Sequence, residues 1–199
     1  MQTAKDNHAK TTTSNKSASN KSASGVAKKD SAISLLMADH AKVKKLFKEF
    51  EKLSKKEDDG KVDIANQICM ELTIHAQAEE EIFYPAARMA INDNDMLNEA
   101  EVEHDTAKDL ISQIQTMSPD DEMYDAKVTV LGEYIDHHVE EEETEMFPKV
   151  SKTKVDLNEL GMQLKMRKEE LMSKLLSPTG EIDQDLLKKC AMDAASKKH

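Results

Sequence analysis

Two similar stretches decide the fold of this chain: LTIHAQAEEEIFYP at residues 72–85 and IDHHVEEEETEMFP at residues 135–148. Each contains a histidine (His75 or His138) followed four residues later by a glutamate, and each ends in a proline ten residues after that histidine. Residues four apart lie on one face of an α-helix, so each histidine and glutamate point to the same place. The residues three and seven positions before each histidine are apolar, which predicts that this face is buried.

Each stretch has a partner histidine earlier in the chain. His40 precedes His75 by 35 residues, and His104 precedes His138 by 34 residues. The two earlier histidines lie in LLMADHAKVKKLF and EVEHDTAKDLI, where apolar residues recur at helical spacing. The sequence therefore predicts two helical hairpins related by an internal duplication. Each hairpin supplies one histidine from its first helix and a histidine–glutamate pair from its second.

The rest of the chain predicts an all-α protein. Helical periodicity and short links predict an up-down-up-down four-helix bundle, with helices at about 31–55, 61–85, 95–117 and 119–146. A shorter helical piece is expected after Pro85, and Ser118 and Pro119 are expected to cap and open the fourth helix. Additional C-terminal helices, from about Asp156 and Glu181, are expected to pack on the bundle or to mediate self-association.

Charge is unevenly distributed along the 199 residues, whose formal net charge is −11. Residues 1–30 hold six Lys against two Asp and predict a disordered tail rich in Lys and Ser. Residues 31–150 are assigned to the bundle and residues 151–199 to a C-terminal helical extension. The acidic balance disfavours a specific nucleic-acid partner. Since neither a membrane span nor a secretory apolar segment is present in the sequence, a cytoplasmic location is expected.

Four imidazoles and two carboxylates that meet inside a bundle predict a metal centre. Bare carboxylates there would suffer desolvation and mutual repulsion, which cations relieve. If both glutamates bridge two ions, each ion receives two histidine nitrogens and two carboxylate oxygens, which leaves about two positions open on octahedral iron or manganese. A single structural zinc needs only about four ligands and no duplicated set. The predicted ligands are His40, His75, Glu79, His104, His138 and Glu142.

These motifs resemble those of the hemerythrin-like family, with its His-His-Glu (HHE) cation-binding motif, over about residues 33–150. The resemblance implies a non-haem di-iron centre, joined by an oxo or hydroxo bridge, that interacts with dioxygen or its relatives. Oxygen carriers of the family have a fifth histidine where this chain has Lys108, and an aspartate five residues after the last histidine where this chain has Glu142 at four. The chain therefore resembles the four-histidine, two-glutamate branch, which disfavours simple oxygen carriage.

The leading interpretation is a cytoplasmic di-iron protein, with manganese as the alternative metal. It is expected to bind or react with dioxygen, peroxide or nitric oxide, in redox, detoxification or stress-response chemistry; whether it is an oxidoreductase stays open at this point. A second interpretation is a sensor of iron or oxygen in which metal loss frees the C-terminal helices for a partner. A third is a metal-free acidic interaction bundle.

Residues beside the predicted ligands carry simpler expectations. His137 is expected to face water and Cys69 to be an unreactive helix thiol. Tyr84 is expected to pack with a partner for its hydroxyl rather than to act as a catalytic proton donor. Solvated faces are expected for the remaining glutamates of the two stretches: Glu80, Glu81, Glu140, Glu141, Glu143 and Glu145.

Overall fold

The structure, a computed structural model, describes residues 30–56 and 60–196, with side chains to residue 190. These residues form α1 (Ala32–Ser54), α2 (Gly60–Ala78), α3 (Tyr84–Ala90), α4 (Asn94–Thr116), α5 (Tyr124–Glu141), α6 (Phe147–Ser151), α7 (Leu157–Leu175) and α8 (Gln184–Ser196). Extended pairing in this part of the chain is a single antiparallel bridge between Leu176 and Ile182. The predicted all-α fold is confirmed. Residues 1–29 of the predicted tail lie outside the described residues.

Four of the helices form the bundle. Helix α1 packs against α2 and α5, and α4 packs against the same two helices from the other side. Consecutive members of the four pack against each other, and the first packs against the last, as in an up-down-up-down bundle. Helix α7 lies on α1 and α2, and α8 lies on α4 and α2. The C-terminal helices thus pack on the bundle, which was one of the two placements that the sequence left open, whereas self-association stays a prediction.

Gly161 allows α7 to lie against the start of α1. A Cβ added at this position would stand 2.1 Å from the carbonyl oxygen of Asp30 and 2.9 Å from the nitrogen of Ala32. Both atoms belong to the backbone, so no side-chain rotation could relieve the contact. Ser31 caps this end of α1, because its hydroxyl accepts a hydrogen bond from the N–H of Ser34. The C-terminal extension is therefore fitted closely to the first helix of the bundle.

The predicted start of the fourth helix is wrong. Helix α5 begins at Tyr124 rather than at Pro119. In the preceding segment the Ser118 hydroxyl accepts from the N–H of Asp120, and the Asp121 carboxylate accepts from the N–H two residues later. Such local bonds offer the backbone an alternative to a helical turn. The acidic segment consequently forms turns instead of the first turn of the helix.

Both prolines of the repeated stretches lie inside nearly continuous helical segments. A π-helical turn at Glu79–Phe83 joins α2 to α3, and another at Glu142–Met146 joins α5 to α6. Proline has no N–H, and its ring would collide with the carbonyl four residues earlier. The wider turn avoids this, because the N–H of the residue before each proline bonds to the carbonyl five residues before it. Each π-turn begins at the glutamate of its motif, so the sequence duplication is also a duplication of backbone geometry.

A polar layer crosses the bundle between two apolar clusters. One cluster includes Val43 and Leu131, and the other includes Leu36 and Phe83. On α1, the layer falls at His40, between Leu36 and Val43. Because apolar side chains close the layer above and below, its polar groups must be satisfied by one another or by a bound ligand.

Candidate metal centre

All six predicted ligands meet in this polar layer, and none exposes more than 5% of its surface. Their ligand atoms form two overlapping groups, each within the reach of one ion. In each group, these atoms lie within 4.8 Å of one another. One group comprises His40, His75, Glu79 and Glu142, and the other Glu79, His104 and His138. We call the six residues the central cluster.

Glu79 lies between the two helical hairpins. Its Oε2 is 3.0 Å from Nε2 of His75 and 3.4 Å from Nε2 of His104. His75 is four residues earlier on the same helical segment, whereas His104 belongs to α4 of the other hairpin. One carboxylate oxygen therefore contacts both halves of the cluster, as the bridging role predicted for Glu79 requires.

Glu142 repeats this arrangement on the opposite side. Its Oε2 is 3.3 Å from Nε2 of His40 and 3.6 Å from Nε2 of His138. It too contacts the histidine on its own helical segment and the first-helix histidine of the other hairpin. The central cluster thus has an approximate two-fold symmetry that follows from the sequence duplication.

The histidines face each other in pairs through Nε2. The Nε2 atoms are 3.2 Å apart in the pair of His40 and His75, and 3.1 Å apart in the pair of His104 and His138. An ion with ligand bonds of about 2.1 Å and right-angle coordination holds neighbouring ligand atoms about 3.0 Å apart. The spacing of the nitrogens fits such an ion. Imidazole and carboxylate donors suit iron, manganese or zinc.

The outer nitrogen of each histidine faces a carboxylate. Nδ1 of His40 donates to Glu143 at 2.9 Å, and Nδ1 of His104 donates to Glu80 at 3.0 Å. An ionised carboxylate can only accept, so Nδ1 carries a proton, and once the ring is neutral its Nε2 lone pair faces the centre. The expectation that Glu80 and Glu143 form solvated faces is therefore wrong, since each lies half-buried on a histidine.

Asp39 and Glu103 perform the same task for the other two histidines. Nδ1 of His138 donates to Glu103 at 2.6 Å, and Nδ1 of His75 lies 3.4 Å from Asp39. Sequence reasoning missed both acids, although each directly precedes the first-helix histidine of its hairpin. This repeated acid–histidine pair is the signal that could have identified them.

Lysines stand behind two of these carboxylates. Lys108 binds Glu80 through both carboxylate oxygens at 2.5 and 2.7 Å, and Lys168 of α7 binds Asp39 in the same way. Burial raises the pKa of Asp39, but the hydrogen bond with His75 and the charge of Lys168 outweigh it and hold the pKa below its usual value. The carboxylate behind His75 is therefore ionised at neutral pH.

Three buried carboxylate oxygens at the centre have no hydrogen-bond partner other than the histidines of the cluster. They are both oxygens of Glu79 and Oε2 of Glu142. Burial raises the pKa of Glu79, but the charges of His75 and His104 outweigh it and keep the pKa well below its ordinary range. A fully buried, ionised carboxylate is costly unless a positive charge balances it, and without metal only protonated histidines do so here. The residues present therefore fit a bound cation, which would balance these carboxylates in place of the protons on the histidines.

Two histidines of the cluster are strongly basic without metal. Burial lowers the pKa of His75, but the charge of Glu79 and the hydrogen bond to Asp39 raise it to about 10. Burial also lowers the pKa of His104, but hydrogen bonds to Glu79 and Glu80 raise it to about 9. Both rings of the metal-free protein consequently carry an extra proton at neutral pH, which a metal ion must displace.

An aromatic ring lies against each first-helix histidine. Tyr84 stacks on His104 with ring centroids 5.3 Å apart, and Phe147 stacks on His40 at 5.8 Å. The Tyr84 hydroxyl donates to Oε1 of Glu142 at 2.9 Å and lies 3.2 Å from Nε2 of His104. Burial and the charge of Glu142 raise the pKa of Tyr84 well above its usual value, so the hydroxyl keeps its proton. The predicted hydroxyl partner is thereby identified.

A small cavity of about 20 Å³ adjoins the central cluster. The four histidines line part of it, and aliphatic side chains such as Val43, Ile111 and Ile135 line much of the rest. About 10–15 Å³ on this scale admits one water molecule. The cavity therefore has room for a ligand of one or two heavy atoms and none for an organic substrate.

Other predicted features lie outside the cluster. His137 is exposed as expected, with its Nε2 3.5 Å from Glu141 and 3.8 Å from Glu103. Cys69 is buried, and burial raises the pKa of its thiol to about 12, as expected of an unreactive thiol. Among the described helices, none is long and apolar enough to cross a membrane.

The family model of the hemerythrin HHE cation-binding domain matches residues 31–150. A DNA nickase from a Nostoc species is 34% identical over 114 residues, which are 57% of this chain and 31% of that protein; the chain thus spans less than a third of this relative. The crystal structure of an HHE cation-binding-domain protein from Mycobacterium kansasii superposes with a TM-score of 0.65 at 21% identity, over 80% of this chain and 98% of that chain. At this identity the likeness shows the fold alone.

Proposed function

The chain belongs to the family of hemerythrin HHE cation-binding domains, and from this premise we propose that the central cluster holds two iron ions at which dioxygen, peroxide or nitric oxide binds or reacts. The observation that carries the proposal is the set of three buried carboxylate oxygens that have no partner other than the histidines of the cluster. A bound iron pair supplies open coordination positions and electrons for a small ligand. Manganese remains the alternative metal.

The carboxylates on the outer nitrogens prepare the histidines for metal. A hydrogen bond from Nδ1 fixes the rotation and the tautomer of each ring and makes its Nε2 a stronger donor to metal. Glu80 and Glu143 do this for the first-helix histidines, and Asp39 and Glu103 for the other two. Since every ring is held this way, metal binding requires little rearrangement of the side chains.

The cavity supports the choice of ligand. At about 20 Å³ it accommodates a diatomic molecule or peroxide, and much of its wall is aliphatic. Lys108 also lines this cavity and is held by Glu80. The nickase activity named for the Nostoc relative forms no part of the proposal, because the chain's net charge of −11 opposes binding to DNA phosphates.

Metal content tests the proposed ligands. The chain should be produced in iron-supplemented medium and its iron measured per chain beside a matched pair of variants, His138→Ala and His137→Ala. The first removes a buried histidine of the central cluster, and the second an exposed neighbour. We expect about two iron ions per chain in the wild type and in His137→Ala, by the ligand count above, and a clear loss in His138→Ala. Equal iron in both variants would contradict the proposal.

Ligand titration tests the chemistry. The iron-loaded protein should be reduced without oxygen and then titrated with dioxygen, peroxide or nitric oxide while its absorption is followed. The proposal requires a stoichiometric spectral change with at least one of them. Return of the starting spectrum on degassing identifies reversible carriage, whereas consumption of peroxide with formation of water identifies a peroxidase-type enzyme. A spectrum that none of the three ligands alters would refute the proposal.

A second candidate function is a metal-dependent sensor. It is favoured by the path from α7 to the cluster, in which Lys168 binds Asp39 and Asp39 faces His75. If metal occupancy shifts this path, a partner could compete for α7 in only one state. Hydrogen exchange of the α7 amides, measured with and without iron, tests the sensor function. Equal exchange rates in the two states would exclude it.

A further inference from the structure

A further group of metal-ligating side chains lies outside the central cluster, at the surface of the second hairpin. It comprises Glu103 of α4 with His137 and Glu141 of α5, whose ligand atoms lie within 4.8 Å of one another. Nε2 of His137 is 3.8 Å from Oε1 of Glu103 and 3.5 Å from Oε1 of Glu141. We call these three residues the surface trio. It shares no residue with the central cluster.

The surface trio follows from the same helical spacing as the central ligands. Each of its members directly precedes a central ligand in the sequence. A shift of one residue turns a side chain by about 100° around the helix axis. His137 and Glu141, four residues apart on α5, therefore share a face that points to solvent, with 61% and 41% of their side chains exposed. The packing that assembles the central cluster thus also brings the trio together.

The distances within the trio suit a metal ion better than hydrogen bonds. N–H···O hydrogen bonds have donor–acceptor distances of about 2.7–3.2 Å, and both distances from Nε2 of His137 exceed this range. An ion with bonds of about 2.1 Å in tetrahedral geometry holds its ligand atoms about 3.4 Å apart. Imidazole and carboxylate donors suit divalent zinc, cobalt or iron. The trio can therefore supply three ligands to such an ion, with water completing the coordination.

Glu103 anchors the trio in the protein interior. Only 8% of its surface is exposed. Its Oε2 accepts a hydrogen bond from Nδ1 of His138 at 2.6 Å, whereas its Oε1 points to His137, beyond hydrogen-bond distance. A largely buried carboxylate is stabilised by a positive charge at its second oxygen. The anchor of the trio therefore favours a cation.

The equivalent acid of the first hairpin already has its cation. Asp39, which corresponds to Glu103, is bound through both oxygens by the ammonium group of Lys168. Lys108 binds Glu80 in the same way. Among the described residues, no lysine or arginine forms an ion pair with Glu103. The trio therefore offers an ion the place that an ammonium group takes on Asp39.

Apolar residues replace the rest of the trio in the first hairpin. Ile74 and Ala78 occupy the positions equivalent to His137 and Glu141. Both are buried, and α7 packs on their helix. The first hairpin thus receives a lysine from the C-terminal extension, whereas the second presents two further ligands beside its acid. The surface trio is a property of the second hairpin.

We propose that the surface trio is a further cation site, which binds one divalent transition-metal ion such as Zn²⁺. Two of its three ligands are exposed, so the ion exchanges with solvent and is removed by dialysis. The iron content of dialysed protein therefore still reports the central cluster alone. Bound to Glu103, the surface ion places a positive charge behind His138, as Lys168 does behind His75.

Titration with Zn²⁺ tests the site on the iron-loaded, dialysed chain. Calorimetry measures zinc binding, and iron in the filtrate shows whether the central ions stay in place. The variants Glu141→Gln and Glu140→Gln each remove one negative charge from α5, but only the first removes a ligand. We expect one Zn²⁺ per chain, without release of iron, in the wild type and in Glu140→Gln. The affinity of Glu141→Gln should be about tenfold lower or more, equivalent to about 1.4 kcal/mol.

Three results would overturn the inference. They are equal zinc affinities of the two variants, no zinc binding by the wild type, and zinc uptake matched by iron release, which would place zinc in the central cluster. Anomalous diffraction at the zinc edge should show the ion about 2.1 Å from Nε2 of His137, and a peak elsewhere would contradict the trio. The two variants can also be compared on a chain that takes up no iron, so failure of the proposed function and failure of this site are distinguishable.

Discussion

Metal binding should displace about two protons from His75 and His104 together at neutral pH. His75 and His104 have pKa values of about 10 and about 9 in the metal-free protein, so at pH 7.5 each ring is more than roughly 95% protonated. A metal ion takes the nitrogen lone pair and expels that proton. Two ordinary histidines, with a pKa of about 6.5, would together release only about 0.2 protons at this pH.

The number of protons released at different pH values distinguishes raised pKa values from ordinary ones. Co²⁺ should be added in excess to metal-free protein in weak buffer at pH 6, 7 and 8, and the released protons measured with an indicator dye. The structure predicts that release from His75 and His104 stays near two throughout, whereas ordinary histidines would fall from about 1.5 to about 0.1. Release that falls this steeply would refute the assigned basicity. A Glu80→Gln control keeps all six proposed ligands but removes a carboxylate that raises the pKa of His104, so its proton release should fall more steeply with pH than that of the wild type.

Three further changes test other parts of the structure. Folding raises the pKa values of His75 and His104, so their contribution to stability is complete below about pH 6.5. It is lost as the pH rises through 9 to 10. The melting temperature of the metal-free protein should fall over that range. The Gly161→Ala substitution gains about 1 kcal/mol of helix propensity, but the backbone contact at 2.1 Å forces α7 away at a typical cost of about 1–3 kcal/mol, so the urea midpoint should fall. Asp39→Asn removes the ionised partner of His75 and should weaken Co²⁺ binding by about 10- to 100-fold; calorimetry with an unchanged affinity would show that this contact is incidental.

The sequence predicted the six residues of the central cluster because their pattern is local. A histidine and a glutamate four residues apart share a helix face whatever the rest of the fold does. The duplicated spacing then showed that two such faces must meet. The proline-linked π-turns were not predicted, since they depend on a competition between a missing N–H and continued helix packing that spacing alone does not reveal.

The carboxylates on the outer nitrogens were harder to predict. Glu80 follows Glu79 directly in a run of acids, and its role depends on how closely α4 approaches the π-turn. In the sequence it cannot be told from Glu81, which instead pairs with Arg167 of α7. The start of α5 was mispredicted for a similar reason. The hydrogen bond that Asp121 accepts from a nearby backbone N–H favours a turn, although Pro119 is typical of a helix start. In each case the sequence allows several polar contacts and does not show which of them forms.

The C-terminal extension belongs electrostatically to the centre even though it lies beyond residues 31–150 of the family match. Lys108, inside that match, neutralises the carboxylate on His104, whereas the corresponding charge behind His75 is Lys168 on α7. The close crossing at Gly161 fixes where this lysine lies along α1. Loss of α7 would leave Asp39 without its cation and alter the basicity of one half of the cluster more than the other. The unit that sets the properties of this centre is therefore the bundle together with α7, and variants confined to the bundle would account for only part of its behaviour.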